Sequence, residues 1–165
     1  MQSFDENGVP TIRRSIPMVL FGWALLVNLF YLFPRMLAQY ASWVYYGVDE
    51  SGADVGPQWR QMSVVIGGLW FTQYIVVAVT AYAFFNRRRA ARRLVPAMLI
   101  ASMAISVLDA AWCISLAAGD QGFIATTILS TAAPALFTVA WTMYFLLSKR
   151  FRETMVYPLE AQPLV

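Results

Sequence analysis

Four long apolar runs alternate with short polar connections along this chain, and that pattern sets the architecture before any single residue is considered. Residues 16–33, 63–85, 94–118 and 123–147 each hold about 18 apolar positions or more, enough to cross a hydrocarbon core about 30 Å thick as a helix. The fold class expected is an all-α integral membrane protein, a bundle of four transmembrane helices. Pro34-Arg35 is expected to end the first span. Beyond it, Leu37, Tyr40, Ala41, Val44 and Tyr45 recur at spacings of three and four, which predicts a short interfacial helix in the first periplasmic loop. Trp43, Tyr45, Tyr46 and Trp59 suit the headgroup layer there, where a ring is half buried and its polar atom wet.

The polar stretches fix the remaining organisation. Residues 1–14 form a polar tail, residues 15–147 the membrane domain and residues 148–165 a second tail. The section Gly47 to Pro57, with Asp49, Glu50 and Asp54, reads as an exposed acidic loop. Gly119-Asp120-Gln121-Gly122 is so short that the third and fourth spans must be antiparallel neighbours. The first run is too long for a signal-peptide core and no small-x-small cleavage site follows it.

Charge orients the bundle. Arg13, Arg14, Arg87, Arg88, Arg89, Arg92, Arg93, Lys149, Arg150 and Arg152 all fall on one side, leaving only Arg35 and Arg60 on the other. The positive-inside rule then predicts that both termini are cytoplasmic. The arginines of the turn before the third span, with Lys149, Arg150 and Arg152, are candidates for contact with anionic lipid headgroups or a partner. A nucleic-acid role is not expected, because a topology determinant explains the same charges.

Composition narrows the chemistry. The chain is 59% hydrophobic and 13% charged, against about 25% charged for a soluble domain. Histidine is absent, and Cys113 is the only cysteine, so no intrachain disulfide forms. Zinc, haem and triad chemistry lose their commonest ligand and base, and we expect no cofactor, no metal and no enzymatic activity.

One residue resists the apolar pattern. Asp109 lies deep in the third span, where a carboxylate normally faces protein or trapped water and has a partner. Ser102, Ser106, Asp109 and Cys113 share one helical face, and Thr127, Thr131, Pro134, Thr138 and Thr142 share another on the fourth span. These faces are expected to meet, with Pro134 removing one backbone hydrogen bond and favouring a kink beside a pocket. A rise of about 1.5 Å per residue puts Asn28 and Gln73 roughly 18 Å, Asp109 roughly 22 Å and Thr131 roughly 24 Å from the cytoplasmic boundary. An intramembrane polar cluster of Asn28, Gln73, Ser106, Asp109 and Thr131 follows, with Arg35 within reach as an ion-pair partner, directly or through water. The cluster reads either as a satisfied polar core that fixes helix register or as a ligand or proton site.

Gly22-Trp23-Ala24-Leu25-Leu26, the basic turn leading to Pro96, and the ending from Trp141 through Tyr144, Phe145, Ser148 and Arg150 to Thr154 carry a resemblance. The chain resembles the YdgK-like family of bacterial four-span inner-membrane proteins, catalogued as a domain of unknown function. The resemblance implies a bacterial plasma (inner) membrane location and no assigned reaction. The function expected is non-enzymatic, acting by binding another membrane protein or a second copy, as an accessory, assembly or immunity-type subunit surrounded by membrane lipids. The alternative is a small transporter or ligand-binding protein built around Asp109.

Overall fold

The computed structural model describes residues 16–47, 54, 56–117 and 119–155. The first tail with Arg13 and Arg14, the loop residues Asp49 and Glu50, and the chain beyond Met155 lie outside the described residues. Each apolar run is helical, and no strand occurs among the described residues. The elements are α1 (Ile16–Val27), a π-helical turn (Asn28–Leu32), α2 (Phe33–Tyr45), α3 (Gly56–Phe85), α4 (Ala91–Leu116), α5 (Gln121–Leu147) and α6 (Lys149–Thr154). Four helical stretches are long and apolar enough to cross a membrane, Ile16–Tyr45, Gly56–Phe85, Ala91–Leu116 and Gln121–Leu147. The chain is a multi-pass membrane protein with an all-α four-helix bundle.

The first span corrects the sequence reading. No break occurs at Pro34, and residues 36–45 are not a separate interfacial helix; they complete a continuous helical stretch of 30 residues. The reason is the π turn. Phe33 N–H bonds the Asn28 carbonyl, five residues back, and Pro34 falls in the first turn of α2. A missing N–H is tolerated at that position, and the widened turn absorbs the ring that an ordinary helix interior would reject.

Packing is uneven along the bundle. At the arginine-rich end, Met18, Phe21, Leu25, Phe84, Val95, Met98 and Phe145 are all buried. Phe21 packs edge-on against Phe145 at 4.4 Å between ring centroids and lies tilted against Trp141 at 5.3 Å. Toward the other end burial thins on α4 and α5, although Met62 and Ile66 of α3 stay fully buried. The buried residues of α4 all lie between Ala91 and Met98, and the only buried residue of α5 is Phe145. Phe33 continues the aromatic packing of the first span onto Trp70 and Tyr74 of α3, and α5 rejoins it at the far edge, where Phe123 meets Trp59 of α3 at 6.0 Å. Between these two aromatic ends, α5 and the rod formed by α1 and α2 stand apart.

Two local devices close the ends. Ser148 leaves helical geometry and its Oγ accepts the Phe151 N–H at 3.2 Å, which starts α6. Phe151 is then fully buried against Phe84 and Phe145. At the other end Gly47 has φ +68°, and a Cβ there would collide with the Arg60 guanidinium at 1.8 Å. Arg60 is held by Asp54 at 3.3 Å, so glycine keeps the path of that side chain clear.

Candidate functional site

Asp109 is positioned by three helices. Tyr40 of α2 donates its hydroxyl to Asp109 Oδ2 at 2.6 Å, and Trp70 of α3 donates its Nε1–H to the same oxygen at 3.3 Å. Cys113, one turn along α4, donates its thiol to Oδ1 at 3.7 Å. A carboxylate that would be prohibitive alone in hydrocarbon is thus a hydrogen-bond hub. It ties the half of α4 away from the arginines, which has no buried residue of its own beyond Met98, to α2 and α3.

Close approach depends on Gly67. A Cβ at that position would lie 3.1 Å from Tyr40 Cβ, whereas one at Gly68 would meet nothing within 4 Å. Gly67→Val is therefore expected to force α2 away from α3, lengthen the Tyr40 to Asp109 bond and lower stability by about 1–3 kcal/mol. Gly68→Val supplies the control. Unfolding of both variants by graded addition of denaturing detergent checks this, and equal stability of the two excludes a wedge at Gly67.

The expected polar layer is divided rather than joined. Gln73 is buried on α3 and donates to the Met98 carbonyl at 2.9 Å and to Ser102 Oγ at 2.6 Å, a separate clamp between α3 and α4. Asn28 donates to the Ala24 carbonyl at 2.7 Å within its own helix. Thr131 and Thr142 likewise bond the carbonyls of Thr127 and Thr138 in α5, so these hydroxyls do not bridge to α4. Arg35 is exposed, and the ion pair present among the described residues is Arg60 with Asp54. Arg35 and Asp109 form no direct ion pair.

Two hollows occupy the gap between α5 and the first rod. The larger, about 370 Å³, is lined by Gln39, Tyr40 and Trp43 from α2, Met62 and Trp70 from α3, Ser106, Asp109 and Cys113 from α4, and Thr127, Ser130, Thr131 and Pro134 from α5. The smaller, about 210 Å³, takes Asn28, Ser102 and Thr138. Pro134 borders both, within an unbroken α5. Ser106, Asp109 and Thr131 therefore share a cleft, while Asn28 belongs to its neighbour and Gln73 lies in the helix interface.

Tyr40 and Trp70 are the partners that sequence reasoning missed. Ending the first span at Pro34 places Tyr40 on a separate interfacial helix rather than within the bundle. Trp70 lies three residues from Gln73 and so faces the same neighbour, a signal that the periodicity already contained.

The basic turn is also rearranged. Arg87 adopts φ 51° in a tight turn, and Arg88 is buried, 3% exposed, contrary to the expectation of lipid contact. Its backbone N–H bonds the Ala83 carbonyl at 2.8 Å, which turns the residue inward. Arg89 and Arg93 are exposed, as are Lys149, Arg150 and Arg152. Arg92 donates to the Arg152 carbonyl and fastens α6 to α4. Arg89, Arg92 and Arg93 also line a groove of about 710 Å³ with Val79, Tyr82 and Leu94.

A family profile described as "Protein of unknown function (DUF2569)" matches residues 15–156. The chain belongs to the DUF2569 family. The DUF2569 match takes in all four spans, the Asp109 hub and α6, so hub and base are parts of one family domain. No curated protein and no solved structure matches this DUF2569 chain.

Proposed function

We propose that the protein is non-enzymatic and acts by binding another membrane protein, as an accessory, assembly or immunity-type subunit of the bacterial plasma membrane. The observation that supports this reading is the state of α5. It is held along one stripe, with Phe145 its only buried residue, while Leu129, Leu136, Phe137 and Leu146 stay exposed. An apolar helix so weakly enclosed has most of its circumference free for a second transmembrane helix, from another protein or another copy. Asp109 with all its donors inside one chain fits a structural hub in such a subunit. The resemblance to the YdgK-like pattern supports the bacterial inner membrane, and the clustered arginines support a cytoplasmic placement of both termini. Exposed Arg89 and Arg93 suit anionic lipid headgroups on that side.

Photo-crosslinking side chains placed at Leu129 and Leu136 test the reading in native membranes. A discrete adduct from these positions, absent from a probe at Thr131, is expected, together with loss of a neighbouring complex on deletion of the gene. A monodisperse species without adducts, and intact complexes after deletion, defeats it.

The second reading, a ligand-binding protein or small transporter, is favoured by one observation. The cleft beside Asp109 has hydroxyl, thiol, amide and carboxylate groups along its wall and the size of a small-molecule site.

A further inference from the structure

The hub gives Asp109 hydrogen-bond donors but no cationic side chain among the described residues. Both strong donors, Tyr40 and Trp70, go to Oδ2, whereas Oδ1 has only the thiol of Cys113 at 3.7 Å, a weak donor. Among the described residues no lysine or arginine lines the cleft, and Arg35 is turned outward. A membrane-depth carboxylate ordinarily has a cationic partner or a water-filled cavity beside it. Here the space next to it is walled by three aromatic side chains, Tyr40, Trp43 and Trp70. Aromatic faces attract cations through the ring quadrupole, most strongly where water is excluded.

We infer that the cleft between α2 and α5 is a binding site for a small lipophilic organic cation, an amine or quaternary ammonium, with Asp109 as counter-charge and Tyr40, Trp43 and Trp70 as its aromatic wall. The inference rests on the ligand-binding reading and names its ligand class. The volume of about 370 Å³ sits at the lower end for small-molecule sites and suits one ring with a compact charged head. The hydroxyls of Ser106 and Thr131 border the same space. Oδ1 is the oxygen left to face the cation, and Oδ2 stays committed to holding the helices together. One carboxylate thereby serves both structure and recognition.

The test uses the full chain in lipid nanodiscs and a matched pair of probes, phenyltrimethylammonium and its neutral isostere tert-butylbenzene, followed by quenching of tryptophan emission. Saturable binding of the cation, and none of the isostere, is expected. Asp109→Asn keeps an acceptor for Tyr40 and Trp70, so the fold should survive while cation affinity falls by about 30-fold or more, as for loss of one partner of a desolvated charge pair. Ser106→Leu narrows the cleft without touching the hub and should abolish binding with the helical spectrum unchanged. If cation and isostere bind equally, or Asp109→Asn binds the cation as well as wild type, the cation inference is overturned and the ligand reading survives. If neither probe binds saturably, both are overturned.

Discussion

Replacing Phe151 by alanine is expected to release α6 from the base of the bundle and to lower stability by about 3–5 kcal/mol, the usual range for a fully buried phenylalanine. The ring is fully buried and lies 4.6 Å from Phe145 and 6.4 Å from Phe84, centroid to centroid. Position along the bundle makes the effect large. Within hydrocarbon, exchanging ring contacts for lipid contacts is nearly neutral, because lipid tails are as apolar as leucine. Phe151 lies beyond the last membrane-length helix, at the end carrying the arginines, where an undocked ring would meet water and headgroups. Its burial is driven by the ordinary hydrophobic effect.

The consequence spreads through the aromatic cluster. Phe145 joins Phe151 to Phe21 and Trp141, so a void at position 151 loosens the one region where α1 and α5 are in buried contact. Thermal unfolding in detergent and the rate of proteolysis near Arg150 report it together. Ser148→Ala, which removes only the cap on α6, should give a smaller loss of about 1 kcal/mol. Equal losses from the two changes would mean that α6 contributes by its cap alone.

How far the fold could be read from the chain depends on which physical signal each feature leaves. Apolar length is a strong signal because every backbone group in a bilayer core must bond within its own segment. The spans starting near Ser63, Leu94 and Phe123 were legible for that reason, although their helices begin a few residues earlier, at Gly56, Ala91 and Gln121. Pro34 left a misleading signal. A proline after about 18 apolar residues marks a helix end in most contexts, and nothing in the neighbouring letters announces a turn that bonds five residues back.

That single misreading carried into the site. Ending the first span at residue 33 put Tyr40 on a separate interfacial helix and left Asp109 to be matched with Asn28, Gln73 and Arg35 by height. Height along a helix is only one of two coordinates. Direction around the axis sends Gln73 to Ser102 and Asn28 back to Ala24, and neither direction follows from rise per residue. What the chain did announce was Asp109 itself, since charge at that depth requires an explanation whatever its partners are. Inward burial of Arg88 had no comparable signal, because a run of arginines looks alike whether each side chain is solvated or enclosed.

Truncation of Asp109 is the sharper probe of the hub. Asp109→Ala is expected to destabilise by more than Tyr40→Phe, because it strands two donors rather than removing one. A buried donor left without an acceptor costs about 1–3 kcal/mol, and Tyr40 and Trp70 both lose theirs. Tyr40→Phe deletes one interhelical bond, about 0.6 and at most about 1.7 kcal/mol in a membrane setting. Asp109→Asn should resemble Tyr40→Phe or better it, since the amide oxygen still accepts. The double variant Tyr40→Phe, Asp109→Ala closes a thermodynamic cycle, and a coupling of about 0.5–2 kcal/mol is expected for residues in direct contact. Unfolding in mixed micelles measures all four corners. A coupling near zero would show that the 2.6 Å contact does not tie α2 to α4, and the splayed half of the bundle would then need another cause for its alignment. A large coupling with unaltered cation binding in Tyr40→Phe would separate the two oxygens of Asp109 by role, Oδ2 for the helices and Oδ1 for the cleft.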